Sequence, residues 1–250
     1  MSRFLLKLSG SFVISLGMVG IITPIVGITT YIILATIGLL ISFFSSKGPD
    51  VLHNLGRLWS KIIFKAARSK IDVRGQEHIP HGTPVVFASN HQSQFDIPAL
   101  YLAIPIQFRF VVKKELFKIP LFGLAMKRAG YVPIDRTGGK KAVKSLRAAV
   151  RRIKSGTSVV VFPEGTRSPD GKLLPFKTGA LLVALKSGVP IVPIGIKGTH
   201  KILPKGSLWV RPGEVQVSIG RPIDTTLFQG RDAKDELVRV VRQEIARLID

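Results

Sequence analysis

The chain has 250 residues, of which 46% are hydrophobic and 21% are charged, so it is long enough to bury a core and is not a disordered chain. It contains no cysteine, which excludes disulfides, thiolate metal sites and a cysteine nucleophile. Its 37 Lys and Arg against 15 Asp and Glu give a formal net charge of +22. Such a balance indicates anionic partners: nucleic acid, an acidic membrane surface or phosphorylated substrates.

The N-terminal fifth of the chain contains a long segment without charge. It comprises the 39 residues 8–46, between Lys7 and Lys47. One helical span needs about 20 apolar residues, so this segment is long enough for two. Pro24 and Gly27 near its middle are turn-forming residues. We therefore predict a hydrophobic membrane hairpin over residues 1–50, with both ends on the cytoplasmic side where the flanking lysines would lie. The predicted helices cover about 12–23 and 28–44.

Other interpretations of this segment stay open. A single tilted span, kinked at Pro24, would also hold the apolar residues in a bilayer. A buried hairpin of a soluble protein is a further alternative. A signal peptide is disfavoured because the apolar run is too long and lacks a clear small-residue cleavage site.

Residues 51–70 predict an amphipathic helix. Apolar residues recur at helical spacing, basic residues form a second stripe, and Trp59 is present, which is typical of a helix lying in a membrane interface. The alternative is an ordinary surface helix packed on the domain. The apolar stripe is Leu52, Leu55, Leu58, Trp59, Ile62, Ile63 and Ala66, and the basic stripe is His53, Arg57, Lys61, Lys65 and Arg68.

The remaining residues, 71–250, predict one domain in which short β-rich runs alternate with helical ones. Alternating elements with apolar, β-branched strands favour an α/β layer fold whose sheet is largely buried. The predicted strands are 84–89, 109–112, 131–134, 158–162, 191–196 and 215–219. The predicted helices are 95–102, 121–128, 139–154, 178–187 and 232–248.

A histidine and an aspartate follow the first of these strands. His91 can take a proton near neutral pH, and Asp96, five positions later, could hold its imidazole and stabilise the imidazolium form. Without a nucleophile from the protein, this pair suits activation of a substrate hydroxyl. The spacing alone equally fits a turn histidine beside an aspartate that caps a helix.

Further polar residues follow or flank the other predicted strands. Arg136 follows strand 131–134, and Glu164 to Arg167 follow strand 158–162. Arginine presents a planar fork that suits a phosphate group. Lys177 precedes a helix, where the helix dipole and an ammonium group could both face an anion. Each of these features could equally be a surface turn with a local ion pair and no role in binding.

Four blocks, taken in order, resemble the pattern of the glycerolipid acyltransferases. They are Asn-His-x-Ser-x-x-Asp at 90–96, Ile-Asp-Arg at 134–136, Phe-Pro-Glu-Gly-Thr-Arg-Ser at 162–168 and Val-Pro-Ile at 192–194. The resemblance covers about residues 70–225, and its first and third blocks are the specific ones. It implies a mixed, largely parallel sheet flanked by helices, as in glycerol-3-phosphate acyltransferase.

The resemblance also implies an activity. The chain would transfer a fatty acyl group from acyl-CoA or acyl-ACP directly to the free hydroxyl of lysophosphatidic acid and give phosphatidic acid. It would work without a metal or cofactor at the cytoplasmic face of a membrane, the bacterial inner membrane in our interpretation. Anionic membrane lipids and an acyl carrier protein would be its partners.

Roles for individual residues follow from the same resemblance. His91 would be the general base and Asp96 would orient it, in a His-x4-Asp motif. Ser93 or Thr166 could instead be acylated in a covalent route. The expected substrate-binding residues are Arg136 and Arg167 for the phosphate, Lys113 and Lys177 as weaker phosphate ligands, Glu164, Gly165 and Thr166 around the acceptor, and Pro193 near the pocket.

Three competing functions stay open. The same blocks serve acyltransferases whose acceptor is glycerol-3-phosphate or another lysolipid. A non-catalytic protein that binds anionic lipid would give His91 no role. Nucleic-acid binding is permitted by the net charge, but the charge-free segment and the absence of a recognised nucleic-acid motif argue against it.

Overall fold

The computed structural model describes the backbone of residues 2–250 and the side chains of residues 17–250. Lys7 therefore lies outside the described side chains. The strands are β1 Lys70–Arg74, β2 Val86–Ser89, β3 Arg109–Lys113, β4 Val132–Ile134, β5 Val159–Val161, β6 Ile191–Lys197 and β7 Glu214–Ile219. The helices are α1 Ser2–Phe44, α2 Gly48–Ala66, α3 Asp96–Ala103, α4 Phe122–Arg128, α5 Gly139–Lys154, α6 Thr178–Ser187, α7 Thr199–Ile202 and α8 Ala233–Ile249.

Within residues 2–250, seven strands form one sheet in the order β1-β7-β6-β2-β5-β3-β4. Neighbouring strands are parallel except for the antiparallel pair β6–β7, so the five strands from β6 to β4 run in one direction. The central strands β2 and β5 are buried throughout and apolar except for Ser89, because helices cover both faces of the sheet. The predicted α/β fold with a mixed, largely parallel sheet is confirmed.

The helices divide between the two faces of the sheet. Successive side chains of a strand point to opposite faces, and Phe87 of β2 packs in a cluster with residues of α2 and α3. Its neighbours Val86 and Ala88 pack in a second cluster with residues of α5, α6 and α8. Helix α1 packs along α2, so it lies on the same side of the sheet as the Phe87 side chain.

The predicted hairpin within residues 1–50 is wrong, because α1 continues through Pro24 without a turn. A turn there would expose several backbone polar groups in an apolar segment, whereas a continuing helix loses only the one bond that proline cannot donate. The chain instead reverses after Phe44 and returns as α2. The indole nitrogen of Trp59 in α2 donates to the carbonyl oxygen of Gly27 in α1 at 2.9 Å.

Helix α1 has two different faces. Its inner face carries small residues, and a Cβ atom added to Gly38 would lie 2.6 Å from the Leu52 side chain. Its outer face is apolar and exposed, and the 28 residues Gly17–Phe44 are long and apolar enough to cross a membrane by length and composition. The exposed side chains on the outer face include Ile21, Ile25, Ile28, Ile32, Leu40 and Phe44.

Helix α2 is amphipathic as predicted, but protein covers most of its apolar face. Ile63 and Phe64 are buried in the same core cluster as α3. His53, from the predicted basic stripe, is fully buried. Arg57 donates to the carbonyl oxygens of Tyr101 and Ile104 at 3.2 and 2.7 Å, so it satisfies the carboxyl end of α3. Most of the apolar stripe therefore packs on protein, Leu58 is exposed, and the position of α2 in a membrane interface stays a prediction.

Candidate active site

The polar blocks of the sequence meet at one edge of the sheet. Because β2, β5 and β4 run in the same direction, the segments that follow them leave from the same edge. Residues 90–96 follow β2, residues 162–168 follow β5, and residues 135–136 follow β4. Open sheets of this class bind their ligands at the carboxyl ends of the strands.

His91 and Asp96 form a hydrogen-bonded pair at this edge. The Nδ1 atom of His91 lies 2.7 Å from Oδ2 of Asp96, whose side chain is completely buried. The same oxygen accepts the backbone N–H groups of Gln92 and Ser93 at 2.7 and 3.0 Å. Asp96 also opens α3, where the helix dipole stabilises a negative charge. The carboxylate therefore orients the imidazole and also fixes the backbone of the loop between His91 and Asp96.

The ring of His91 is held flat against Phe162. The two rings are stacked with centroids 4.0 Å apart and an angle of 17° between their planes. The side chain of His91 is 17% exposed and faces the cavity described below. Because a carboxylate oxygen accepts hydrogen bonds, Nδ1 carries the proton in this pair, and Nε2 is the nitrogen that can accept a proton from a substrate.

Glu164 joins the His91 loop to the segment after β5. Its two carboxylate oxygens accept the backbone N–H groups of His91 at 2.7 Å and Leu174 at 3.1 Å. Burial raises the pKa of the Glu164 carboxyl group. In addition, the N–H of Ser168 donates to the carbonyl oxygen of His91 at 2.7 Å. Glu164 therefore acts on the site by positioning the His91 backbone.

The other polar residues of the first block fix the loop to its surroundings. The side chain of Asn90 bonds both the N–H and the carbonyl oxygen of Ile196, at 2.7 and 2.9 Å, as a neighbouring strand would. The hydroxyl of Ser93 donates to the carbonyl oxygen of Leu203 at 2.6 Å. Asn90 and Ser93 are thus occupied by structural hydrogen bonds, which does not favour Ser93 as an acyl acceptor.

A cavity of about 790 Å³ extends from His91 along the inner sides of α1 and α2. Its walls are largely apolar and include Gly27, Tyr31, Trp59 and Phe122. At the edge of the sheet that holds His91, the cavity wall is formed by the end of β3 and by the segments that follow β4 and β5. The lining residues from these segments are Lys113, Arg136, Gly165, Thr166 and Arg167.

Most of the predicted substrate-binding residues thus line the same cavity as His91. Arg136 Nη1 donates to the carbonyl oxygen of Gly165 at 2.5 Å, which ties the second block to the third. Lys177 lies just before α6 with its side chain against Gly165, behind the cavity wall. Pro193 is buried in β6 beside Ala88 and, like Glu164, does not line the cavity.

Lys205 is a further basic residue beside the third block. Its ammonium group lies 2.9 Å from the carbonyl oxygen of Arg167 and 3.3 Å from the Thr166 hydroxyl. Nothing in the sequence around residue 205 signals this position, because it depends on a loop that returns from β6 to the site.

Residues 70–197 of the chain match the family model described as Acyltransferase. The 1-acyl-sn-glycerol-3-phosphate acyltransferase of Haemophilus influenzae is 30% identical over 205 residues, covering 82% of this chain and 84% of that protein. This chain belongs to the acyltransferase family. The resemblance of the four sequence blocks is thereby confirmed.

Two further relatives support the assignment of this chain to the acyltransferase family. A chloroplastic 1-acyl-sn-glycerol-3-phosphate acyltransferase of Arabidopsis thaliana is 42% identical over 200 residues, 79% of this chain. The match covers 54% of that protein, so the chain spans about half the length of such plant relatives. The crystal structure of the 1-acyl-sn-glycerophosphate acyltransferase from Thermotoga maritima is 32% identical, with a TM-score of 0.78 over 92% of this chain and 95% of that one.

Proposed function

We propose that this chain transfers a fatty acyl group from acyl-CoA or acyl-ACP to the sn-2 hydroxyl of 1-acyl-sn-glycerol-3-phosphate, giving phosphatidic acid. The observation that carries the proposal is the His91–Asp96 pair at the polar end of a long apolar cavity. The names of the relatives, 1-acyl-sn-glycerol-3-phosphate acyltransferases, support the acceptor.

His91 is the general base in this reaction. Its Nε2 takes the proton from the sn-2 hydroxyl as the oxygen attacks the thioester carbonyl carbon, and a tetrahedral intermediate forms. The C–S bond then breaks, and the leaving thiolate takes the proton from the imidazolium to become a thiol. Asp96, which lies 2.7 Å from Nδ1, stabilises the imidazolium between these two steps.

The basic residues beside His91 bind the phosphate of the acceptor. Arg136 and Arg167 lie at the polar end of the cavity and present guanidinium groups that suit a phosphate. Lys113 lines the same end, and Lys205 adds an ammonium group beside Arg167. The apolar walls then receive a fatty acyl chain, because burial of its methylene groups is favourable.

The proposal puts the enzyme at a membrane, and the apolar outer face of helix α1 supports this location. This exposed apolar face would be costly in water and is stable against lipid. The acceptor and the product are both membrane lipids, whereas the acyl donors are water-soluble. We therefore assign the active site to the cytoplasmic face of the membrane, with anionic lipids around α1.

The test is acyl transfer by purified protein in detergent or lipid vesicles. The acceptors to compare are labelled lysophosphatidic acid, glycerol-3-phosphate and another lysophospholipid, each with acyl-CoA and with acyl-ACP. We expect phosphatidic acid as the main product, and a loss of about 10²–10⁴-fold in rate for His91→Ala. His81→Ala is the matched control, since His81 is exposed in the loop before β2, at the opposite edge of the sheet.

The outcomes separate the competing functions. A faster reaction with glycerol-3-phosphate or another lysolipid would replace the acceptor in the proposal. Folded protein that binds anionic vesicles but transfers no acyl group to any acceptor would support the non-catalytic alternative. Full activity of His91→Ala would overturn the mechanism.

A further inference from the structure

Helix α5 presents a stripe of basic residues to solvent. Lys140, Lys144, Arg147 and Arg151 are exposed and follow one another at spacings of three and four, so they lie on one face of the helix. The stripe is about 17 Å long at a rise of 1.5 Å per residue. Helix α5 contains no acidic residue. We refer to these four residues as the α5 stripe.

The α5 stripe has no role in holding the fold together. The opposite face of the helix packs into the core through Ala149 and Ile153, which are fully buried. In the part of the chain that the structure describes, none of the four stripe side chains forms an ion pair with a carboxylate. Like charges at these spacings destabilise a helix by about 0.2–0.5 kcal/mol per pair. The stripe is therefore available to an external anionic partner.

The position of the α5 stripe indicates which kind of partner it can meet. Lys140 follows Arg136 by four residues, and Arg136 lines the polar end of the cavity, so the stripe begins near the entrance to the site. Helix α5 packs on the side of the sheet that carries Val86 and Ala88, whereas α1 and α2 lie on the side of Phe87. A bilayer in contact with the outer face of α1 lies on the other side of the sheet. The stripe thus faces the aqueous phase.

We infer that the α5 stripe docks a small acidic protein that carries the acyl group as a thioester and delivers it to His91. The inference rests on the proposed function, which requires a thioester donor at this edge of the sheet. A row of four cations over about 17 Å complements an acidic helix of similar length, and such complementarity raises association rates. Val143, which is 48% exposed beside the stripe, offers an apolar contact at its edge.

The experiment compares two donors in one charge-reversal variant. Lys144→Glu/Arg147→Glu is assayed with palmitoyl-loaded acyl carrier protein and with palmitoyl-CoA, in the full-length protein in detergent. We expect the KM for the loaded carrier protein to rise about tenfold or more, with kcat unchanged and the palmitoyl-CoA KM within about twofold of wild type. The difference between variant and wild type should shrink as salt is added.

Two further variants keep the result interpretable. Arg239→Glu/Arg242→Glu makes the same change of charge on exposed residues of α8, which α6 separates from α5, and should leave both KM values unchanged. Lys144→Gln/Arg147→Gln removes the charges without reversing them and should raise the carrier-protein KM by a smaller factor.

The inference is overturned if the wild type does not use the loaded carrier protein, or if the α5 and α8 variants behave alike. It is also overturned if both donors lose affinity equally, which would make the stripe a general anion site. Loss of binding to vesicles of phosphatidylglycerol by the α5 variant would instead make α5 a membrane surface. If the wild type forms phosphatidic acid from neither donor, the proposed function itself fails, and this result is distinct from the others.

Discussion

The loop at 90–96 and helix α1 are held in place by different forces. In the loop, the side chains of Asn90, Ser93 and Asp96 each bond specific backbone groups, so position is fixed by polar pairing. In α1, Gly27 and Gly38 allow close packing against α2, while the opposite face of the helix meets no protein. The loop should therefore be sensitive to the loss of a single polar atom, and α1 to the polarity of its surroundings.

The largest expected effect lies in the loop. Asp96→Asn keeps the size of the side chain, and its amide oxygen can still accept the N–H groups of Gln92 and Ser93, but it removes the charge that we propose stabilises the imidazolium. We expect kcat to fall by about 10²–10⁴-fold. Steady-state kinetics with lysophosphatidic acid measure this change in kcat. The control is Asp72→Asn, because the Asp72 side chain is exposed on the edge strand β1. A kcat within twofold of wild type would remove Asp96 from the mechanism.

The matching test of α1 changes the polarity of its outer face. Ile25→Lys/Ile32→Lys places two charges where we propose lipid contact, at a cost of about 2.5–3.5 kcal/mol for each charge at the centre of a membrane helix. We expect partition of the purified protein into vesicles to fall strongly. The control, Gln243→Lys on the exposed face of α8, should leave the partition into vesicles unchanged. Equal partition of the wild type and the α1 variant would show that this face does not contact lipid.

A smaller effect is expected at the end of the cavity where we propose that the phosphate binds. Arg167→Ala removes the guanidinium that we propose binds the acceptor phosphate, and one such charge-assisted interaction contributes about 1.5–3 kcal/mol. The KM for lysophosphatidic acid should rise about 10–100-fold while kcat changes little. Lys172→Ala, on the same segment but exposed and near Asp170, is the control. A fall in kcat at unchanged KM would place Arg167 in the chemical step instead.

The smallest effect concerns stability at low pH. Asp135 accepts hydrogen bonds from the Lys114 ammonium and from Thr137, and these hold the pKa of its carboxyl group well below the usual range. A lowered pKa adds stability above the ordinary carboxyl value of about 3.9, and this stability is lost as the pH falls through the lowered pKa. Urea unfolding of Asp135→Asn between pH 5 and pH 2, where the wild type loses this stability, should therefore show a weaker acid dependence than wild type. Asp235→Asn on α8 should keep the wild-type dependence, and a parallel loss in both variants would contradict this account.

Much of the catalytic domain could be predicted from local pattern. The predicted helices 139–154 and 178–187 coincide with α5 and α6, because each has clear periodicity between turn residues. The site was also predictable, since parallel strands bring the segments that follow them to one edge. Strand β1 was missed because its alternating half-buried and exposed residues are polar or charged at three of five positions.

The features that escaped prediction depend on distant partners. An amphipathic pattern reports that α2 has an apolar face, but not that α1 and α3 cover most of it. Pro24 signals a break, but the surrounding apolar residues and the packing of α2 favour a continuing helix. Glu164 was expected to contact the acceptor, yet its carboxylate is occupied by the N–H groups of His91 and Leu174, and one of these is 73 residues away in the chain.

The most direct test of the central claim is a double-mutant cycle on His91 and Asp96. If Asp96 acts only through the imidazole, His91→Ala/Asp96→Asn should have the same kcat as His91→Ala alone, because residues that act as a unit are not additive. The measurement is the initial rate of phosphatidic acid formation for wild type, both single variants and the double variant. A double variant slower than His91→Ala by the full factor of Asp96→Asn would contradict the claim that these two residues form one base.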